Sequence, residues 1–240
     1  MRLDKFLAAS GMGTRAEVKK LLKTGAVTLS GFVGKLQPQQ HIDPEHDEIL
    51  VDGKPIQYRE YIYLMLNKPA GYISATWDKK LPTVLDLVDE EYLHFEPVPV
   101  GRLDIDTEGL LILTNDGGLS HRLLSPKRHV PKTYLAHLDG AVGETEIQAF
   151  RDGVILEDGY QTKPAELRIL GQTGEVFAVE VVITEGKFHQ VKRMFESVGR
   201  RVIYLKRTKM NRLELDESLE LGAVRELTAE ELELLQYEGD

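Results

Sequence analysis

Near residue 60 the chain changes character, and that change limits the available folds more than any other feature. Residues 2–10 carry Leu3, Phe6 and Leu7 on one helical face and stop at Gly11. Thr14-Arg15-Ala16-Glu17 is a capping box. The helix it opens places Val18, Leu21 and Leu22 inward and stops at Gly25. Val27 and Leu29 then alternate toward a Ser30-Gly31 turn, which predicts a hairpin. A turn-rich stretch, Val51-Asp52-Gly53-Lys54-Pro55, closes this small unit. From residue 61 to about 208 strands dominate, with long apolar runs at 176–184 and 202–205. Helical patterns interrupt them at 83–87, 119–124, 144–152 and 190–198. A second capping box, Thr228 to Glu231, opens a final helix. Strand runs broken irregularly by helices predict an α+β fold rather than βαβ repeats.

Charge separates the same regions. The net charge is −9 over 240 residues, which taken alone argues against a nucleic-acid partner. Residues 1–35 nevertheless carry +5 and residues 186–209 carry +7, while residues 210–240 carry −8. Two basic islands in an acidic chain attract a polyanion through their local field. Cys is 0, which excludes a disulfide scaffold, a thiolate nucleophile and Cys-bearing zinc sites, and fits a reducing cytosol. No apolar run approaches the roughly 18 residues of a membrane span, and Met1-Arg2-Leu3-Asp4-Lys5 leads into no signal-peptide core. The expectation is a soluble, cytoplasmic monomer.

The densest stretch is residues 100–117, where Gly101-Arg102-Leu103-Asp104 enters a loop, then an apolar strand, then an Asn-Asp-Gly turn. A carboxylate in a loop held by a rigid strand suits a nucleophile. The plain reading of Asp104 or Asp106 is a turn cap; as a pair they also invite an acid–base role in glycoside hydrolysis or Mg²⁺ binding, and neither of these follows from spacing alone. Tyr134, in Lys132-Thr133-Tyr134, reads as strand packing or as a stacking platform for a base. Lys187, Lys192 and Arg193 begin a basic helix, either a solvated face or a phosphate contact with one cation beside a catalytic carboxylate. His189 has no second His at ligand spacing, so a zinc site is rejected. Arg15, Lys19, Lys20 and Lys23 lie on or beside the polar face of one short helix, which fits phosphate contact better than chance solvation. No P-loop, dinucleotide fingerprint or nucleophile elbow occurs, and no residue pattern calls for ATP, NAD or a metal.

Taken together these segments resemble known families. Residues 1 to about 55 resemble an S4 RNA-binding domain through Arg2-Leu3-Asp4-Lys5-Phe6-Leu7, Thr14-Arg15, Gly25 and Gly31. Leu66-Asn67-Lys68-Pro69-Ala70-Gly71-Tyr72, Gly101-Arg102-Leu103-Asp104, Lys132-Thr133-Tyr134 and the run from Gly186 to Met194 are similar, in order and spacing, to the pseudouridine synthases. Within that family the resemblance is nearest to the type A enzymes that modify the small ribosomal particle.

The resemblance implies an S4 module over residues 1–58 and a mixed, mainly antiparallel-sheet catalytic domain over 59–240. It implies isomerisation of a uridine in small-subunit (16S) ribosomal RNA without a cofactor, with Asp104 catalytic, Tyr134 stacked on the base and Lys192 its basic partner. Arg193 and Arg102 are rival cations, because many relatives use Arg as the partner. RNA contacts are expected from Arg2, Lys5, Arg15, Lys19, Lys20, Lys23, Arg102, Lys132, Lys187 and Arg193. The alternatives are large-subunit (23S) RNA as substrate, a non-catalytic RNA-binding or ribosome-assembly factor indifferent to Asp104→Asn, and a nucleoside or glycoside hydrolase using Asp104 and Asp106.

Overall fold

The computed structural model describes residues 1–56 and 58–237. Two compact units divide the chain: residues 1–62 with 89–97, and residues 63–88 with 98–240.

The first unit contains α1 (Leu3–Ala9), α2 (Arg15–Thr24), β1 (Val27–Leu29), β2 (Ile49–Val51), β3 (Lys54–Ile56) and α3 (Glu90–Leu93). The capping box at Thr14 forms as expected, with Glu17 N donating to Thr14 Oγ1 and Thr14 N donating to Glu17 Oε2. Gly25 ends α2 in the left-handed conformation. Leu3, Phe6, Leu7, Val18, Leu22 and Ile49 form a buried core. The expected hairpin across Ser30-Gly31 does not form. Strand β1 pairs antiparallel with β2, twenty residues on, and the tight hairpin joins β2 to β3. Asp52 and Gly53 both have positive φ there, the conformation that matches the twist of two-residue hairpins and favours an Asp-Gly pair.

The second unit is one mixed sheet with helices packed on it. Its strands are β4 (Tyr63–Lys68), β5 (Val98–Pro99), β6 (Glu108–Thr114), β7 (Lys132–Leu138), β8 (Glu166–Thr173), β9 (Val176–Ile183), β10 (Val202–Met210), β11 (Leu213–Glu214) and β12 (Val224–Glu226). A 3₁₀ turn (Val84–Leu87) and helices α4 (Gly117–Leu124), α5 (Glu144–Asp152), α6 (Gln190–Ser197) and α7 (Ala229–Gln236) complete it. The strand order is β12-β4-β6-β10-β7-β9-β8, with β5 on β6 and β11 on β10. Pairing is antiparallel except between β6 and β10. This is the α+β class that the strand and helix runs imply. Among the described residues no helix is long and apolar enough to cross a membrane.

Strand β6 sits centrally and is buried on both faces, which explains its unbroken apolar run Leu110-Leu111-Ile112-Leu113. Each such side chain contributes roughly 1.5–3 kcal/mol relative to exposure. Gly109 lies opposite Arg207, with φ +98°, and a Cβ there would stand 2.2 Å from the Arg207 carbonyl oxygen. The parallel pair can close only with glycine at that point. The loop before β6 and the C-terminal half of β10 are thereby held together.

Candidate active site

The loop at residues 103–107 is pinned from several sides. Ser74 Oγ accepts from Leu103 N and donates to Leu103 O, both at 3.0 Å. Gly71 N donates to Ile105 O at 2.7 Å, and Thr107 N donates to Asp104 O at 3.0 Å. Lys68, fully buried, donates from Nζ to Pro69 O at 3.0 Å, Asp104 O at 3.1 Å and Thr107 O at 2.9 Å. A cation caged by carbonyls replaces the water that these groups would otherwise need. Burial pushes the Lys68 ammonium down to about 8, against the pull of nearby Asp106, Glu108 and Asp104. The backbone around Asp104 is therefore rigid while its carboxylate remains partly open to solvent.

A second element brings basic groups to that carboxylate. Glu185, buried, accepts from Tyr160 Oη at 2.7 Å, Lys163 N at 3.0 Å and Gln190 Nε2 at 2.6 Å. Gln190 Oε1 in turn accepts from Lys187 N at 2.7 Å. This network shapes the turn into α6, where His189 adopts a left-handed conformation. Val191, Met194 and Phe195 anchor the helix in the core. The outcome is Lys192 Nζ at 3.6 Å from Asp104 Oδ2 and His189 Nε2 at 3.6 Å from Asp104 Oδ1.

Lys192 lies nearer still to Asp106, at 2.5 Å. Burial alone would raise the Asp106 carboxyl, but the Lys192 hydrogen bond and charge outweigh it and hold the group below its ordinary value. A general acid needs the opposite shift, so Asp106 does not fit the acid of a hydrolytic pair. Arg193 turns elsewhere and pairs with Asp158 at 2.6 Å. Of the two adjacent cations, Lys192 faces Asp104.

Asp104, Tyr134, His189, Lys187, Arg102 and Lys132 all line one cleft of about 750 Å³. That volume suits a nucleotide-sized ligand. Tyr134 presents its ring from β7 and is otherwise buried. Arg102 and Lys187 are exposed, and Lys187 lies over the Tyr160 ring at 4.6 Å. Lys132 is not a surface cation: it is buried and donates to Val130 O at 2.9 Å. In the first unit Lys5, Arg15, Lys19, Lys20 and Lys23 are exposed, and Arg2 is exposed but engaged with Asp4 at 2.7 Å.

Two features of the cleft are not visible in residue order. Sequence alone offers His189 only as a metal ligand, yet it reaches Asp104. Its ring stacks on the exposed Phe188 at 3.8 Å between centroids. Arg207 lines the cleft from β10, almost wholly buried. Its place in a strand with Tyr204, Leu205 and Lys206 carries no local signal of a site.

Comparison with known proteins decides the class. Residues 62–197 match the family described as RNA pseudouridylate synthase. The chain belongs to the RNA pseudouridylate synthase family. It is 53% identical, over 98% of both chains, to an RNA pseudouridine synthase of Bacillus subtilis. It is 43% identical, over 97% of both chains, to ribosomal small subunit pseudouridine synthase A of Yersinia pestis. A crystal structure of a pseudouridylate synthase superposes with a TM-score of 0.68 at 40% identity, covering 98% of this chain and 99% of that one. The protein is thus an isomerase that modifies RNA. A pseudouridine synthase must break and remake a bond at C1′ of uridine within the polymer, and the cleft offers a carboxylate, an aromatic ring and cations for that task.

Proposed function

We propose that the protein isomerises a uridine of small-subunit ribosomal RNA to pseudouridine, with Asp104 acting at C1′. The observation that carries this reading is that Asp104 and Tyr134 line one cleft from two separate elements, with Lys192 of a third element at 3.6 Å from the Asp104 carboxylate. Breaking the C1′–N1 bond builds positive charge on the ribose, which a carboxylate stabilises or traps. Lys192, 3.6 Å away, supplies the opposite charge to that carboxylate as RNA closes over it. The target uridine must leave its stack, at about a few kcal/mol, and stacking on Tyr134 returns roughly 1–3 kcal/mol of it. The detached uracil turns within the cleft, and its C5 bonds to C1′. No cofactor enters this sequence.

The ribosomal substrate rests on full-length similarity to enzymes named for the small subunit, at 41–43% identity. Residues 1–58 act in this reading as an S4 RNA-binding domain, whose exposed α2 cations grip phosphates, and residues 59–240 as the catalytic domain of a cytoplasmic monomer. The test is tritium release from small-subunit RNA labelled at uridine C5, for wild type and Asp104→Asn. Release by wild type alone, with pseudouridine recovered at one position, is expected, and the substitution lowers the rate by at least ~10⁴-fold. Equal release by both proteins would remove Asp104 from the mechanism. Release only from large-subunit RNA would reassign the substrate.

A further inference from the structure

The floor of the cleft holds two cations that the reading above leaves without a task. Side chains two apart on a strand share a face, so β7 presents Lys132 and Tyr134 together. Arg207 stands directly opposite Tyr134 on β10. All three line the cleft with Asp104. Lys132 is 8% exposed and Arg207 2%. Arg207 donates from Nε to Leu110 O at 2.8 Å, and its buried Nη2 has no hydrogen-bond partner. Thr107 Oγ1, also in the cleft wall, is buried and unpartnered as well. Among the described residues neither cation has a carboxylate within ion-pair distance. Glu185 lines the same cleft, but Tyr160, Lys163 and Gln190 engage it.

Burying two positive charges without a counter-charge is unfavourable by several kcal/mol unless an anion arrives. The effect is visible on Lys132, whose ammonium is pushed down to about 8 by burial and by Arg207 beside it. An RNA phosphate is charged throughout the reaction and can be held at the rim by the exposed Arg102 and Lys187. The base is what reaches the floor, since Tyr134 and Arg207 are neighbours there. When C1′–N1 breaks, the electron pair leaves with uracil and spreads over N1, O2 and O4. The ribose meanwhile either bonds through C1′ to the Asp104 carboxylate, or loses its 2′ proton from C2′ to that carboxylate and forms a C1′=C2′ double bond. When C5 then bonds to C1′, the Asp104 ester breaks and frees the carboxylate, or Asp104 returns the proton to C2′; the C5 proton departs and N1 gains one, so the base is neutral again. Negative charge therefore exists on the base only between the two bond changes.

We infer that Lys132 and Arg207 stabilise the uracil anion during the interval in which it is detached from the ribose. Such fixed charges act where charge develops, and so accelerate the reaction without tightening ground-state binding. The inference rests on the proposed C1′ chemistry.

The test compares single-turnover cleavage of the target C1′–N1 bond in RNA carrying either uridine or 5-fluorouridine, read by mass spectrometry of nuclease digests. Fluorine stabilises the anion by itself and relieves the need for the cations. Lys132→Met is expected to slow the uridine reaction by ~10²-fold, and the 5-fluorouridine reaction by at least about fivefold less. The Kd for RNA stays within about twofold of wild type, since the charge is absent from the ground state. Arg207→Gln behaves alike; thermal melting checks both variants, and Lys132→Met stands alone if Arg207→Gln does not fold. Equal losses on the two bases, or weaker RNA binding at an unchanged rate, would overturn the inference and leave the Asp104 reading intact. Wild type that binds RNA and never forms pseudouridine would overturn both.

Discussion

Removing the Lys68 ammonium should loosen the loop that carries Asp104, and Lys68→Met does so with little change of volume. Three close hydrogen bonds are lost, to the carbonyl oxygens of Pro69, Asp104 and Thr107, with a longer one to Ile105 O at 3.5 Å. Hydrogen bonds to a charged group contribute roughly 1.5–3 kcal/mol each, so the loss from the three close ones is about 4.5–9 kcal/mol. Against this, methionine removes the unfavourable burial of a charge. That burial lowers the group from 10.5 to about 8, a difference of about 3 kcal/mol. The net expectation is a loss near ~3 kcal/mol in urea unfolding at neutral pH, with the urea dependence unchanged.

The pH dependence has a definite sign. Between about 8 and 10.5 the unfolded chain holds a proton on Lys68 that the folded chain has shed. Stability of wild type therefore rises with pH across that window, by up to about 3 kcal/mol, and Lys68→Met lacks the rise. The gap between the two proteins should widen from pH 8 to 10. Under conditions where the variant is folded, single-turnover pseudouridine formation should fall by ~10²-fold, because a displacement of about 1 Å at the reacting carboxylate is enough. A variant within about 1 kcal/mol of wild type at full rate, or a gap that narrows with pH, would refute the reasoning.

Two further outcomes are expected. Gly109→Ala places a methyl against the Arg207 carbonyl at positive φ, and should cost about 3 kcal/mol or more, seen as a fall of roughly 6–12 °C in Tm; an unchanged Tm would mean that β6 and β10 separate freely. Charge reversal at Lys19 and Lys23 together should weaken RNA binding and lower the slope of log Kd against log salt by about 2, while the rate at saturating enzyme holds; a rate loss above about tenfold would deny that α2 serves binding alone.

What residue order makes legible is local. The capping boxes at Thr14–Glu17 and Thr228–Glu231 need only an i, i+3 relation, and both form. Helix α5 spans the residues that the pattern marks, because its apolar period and its Gly153 stop are local signals. Strand β10 runs five residues beyond the 202–205 run, since its polar continuation is held by β7 and β6 rather than by propensity. Ser30-Gly31 carries a hairpin signal without forming a hairpin, because a turn signal says nothing about which strand will arrive beside it.

The chemistry divides along the same line. The order of Gly101-Arg102-Leu103-Asp104, Lys132-Thr133-Tyr134 and the 186–194 run carries the resemblance to the pseudouridine synthases, and the family match over residues 62–197 bears out that class. Their arrangement is not contained in any one stretch. Lys68 meets the Asp104 carbonyl across 36 residues, and Lys192 meets Asp106 across 86. Arg207 comes beside Tyr134 only because β10 inserts between β6 and β7. The sequence by itself marked the locally capped helices and carried the resemblance that names the class of reaction. Tertiary structure alone decided which cation faces which carboxylate and which cations are buried without a partner, because charge–charge energies and desolvation depend on distance and burial, and neither is a property of residue order.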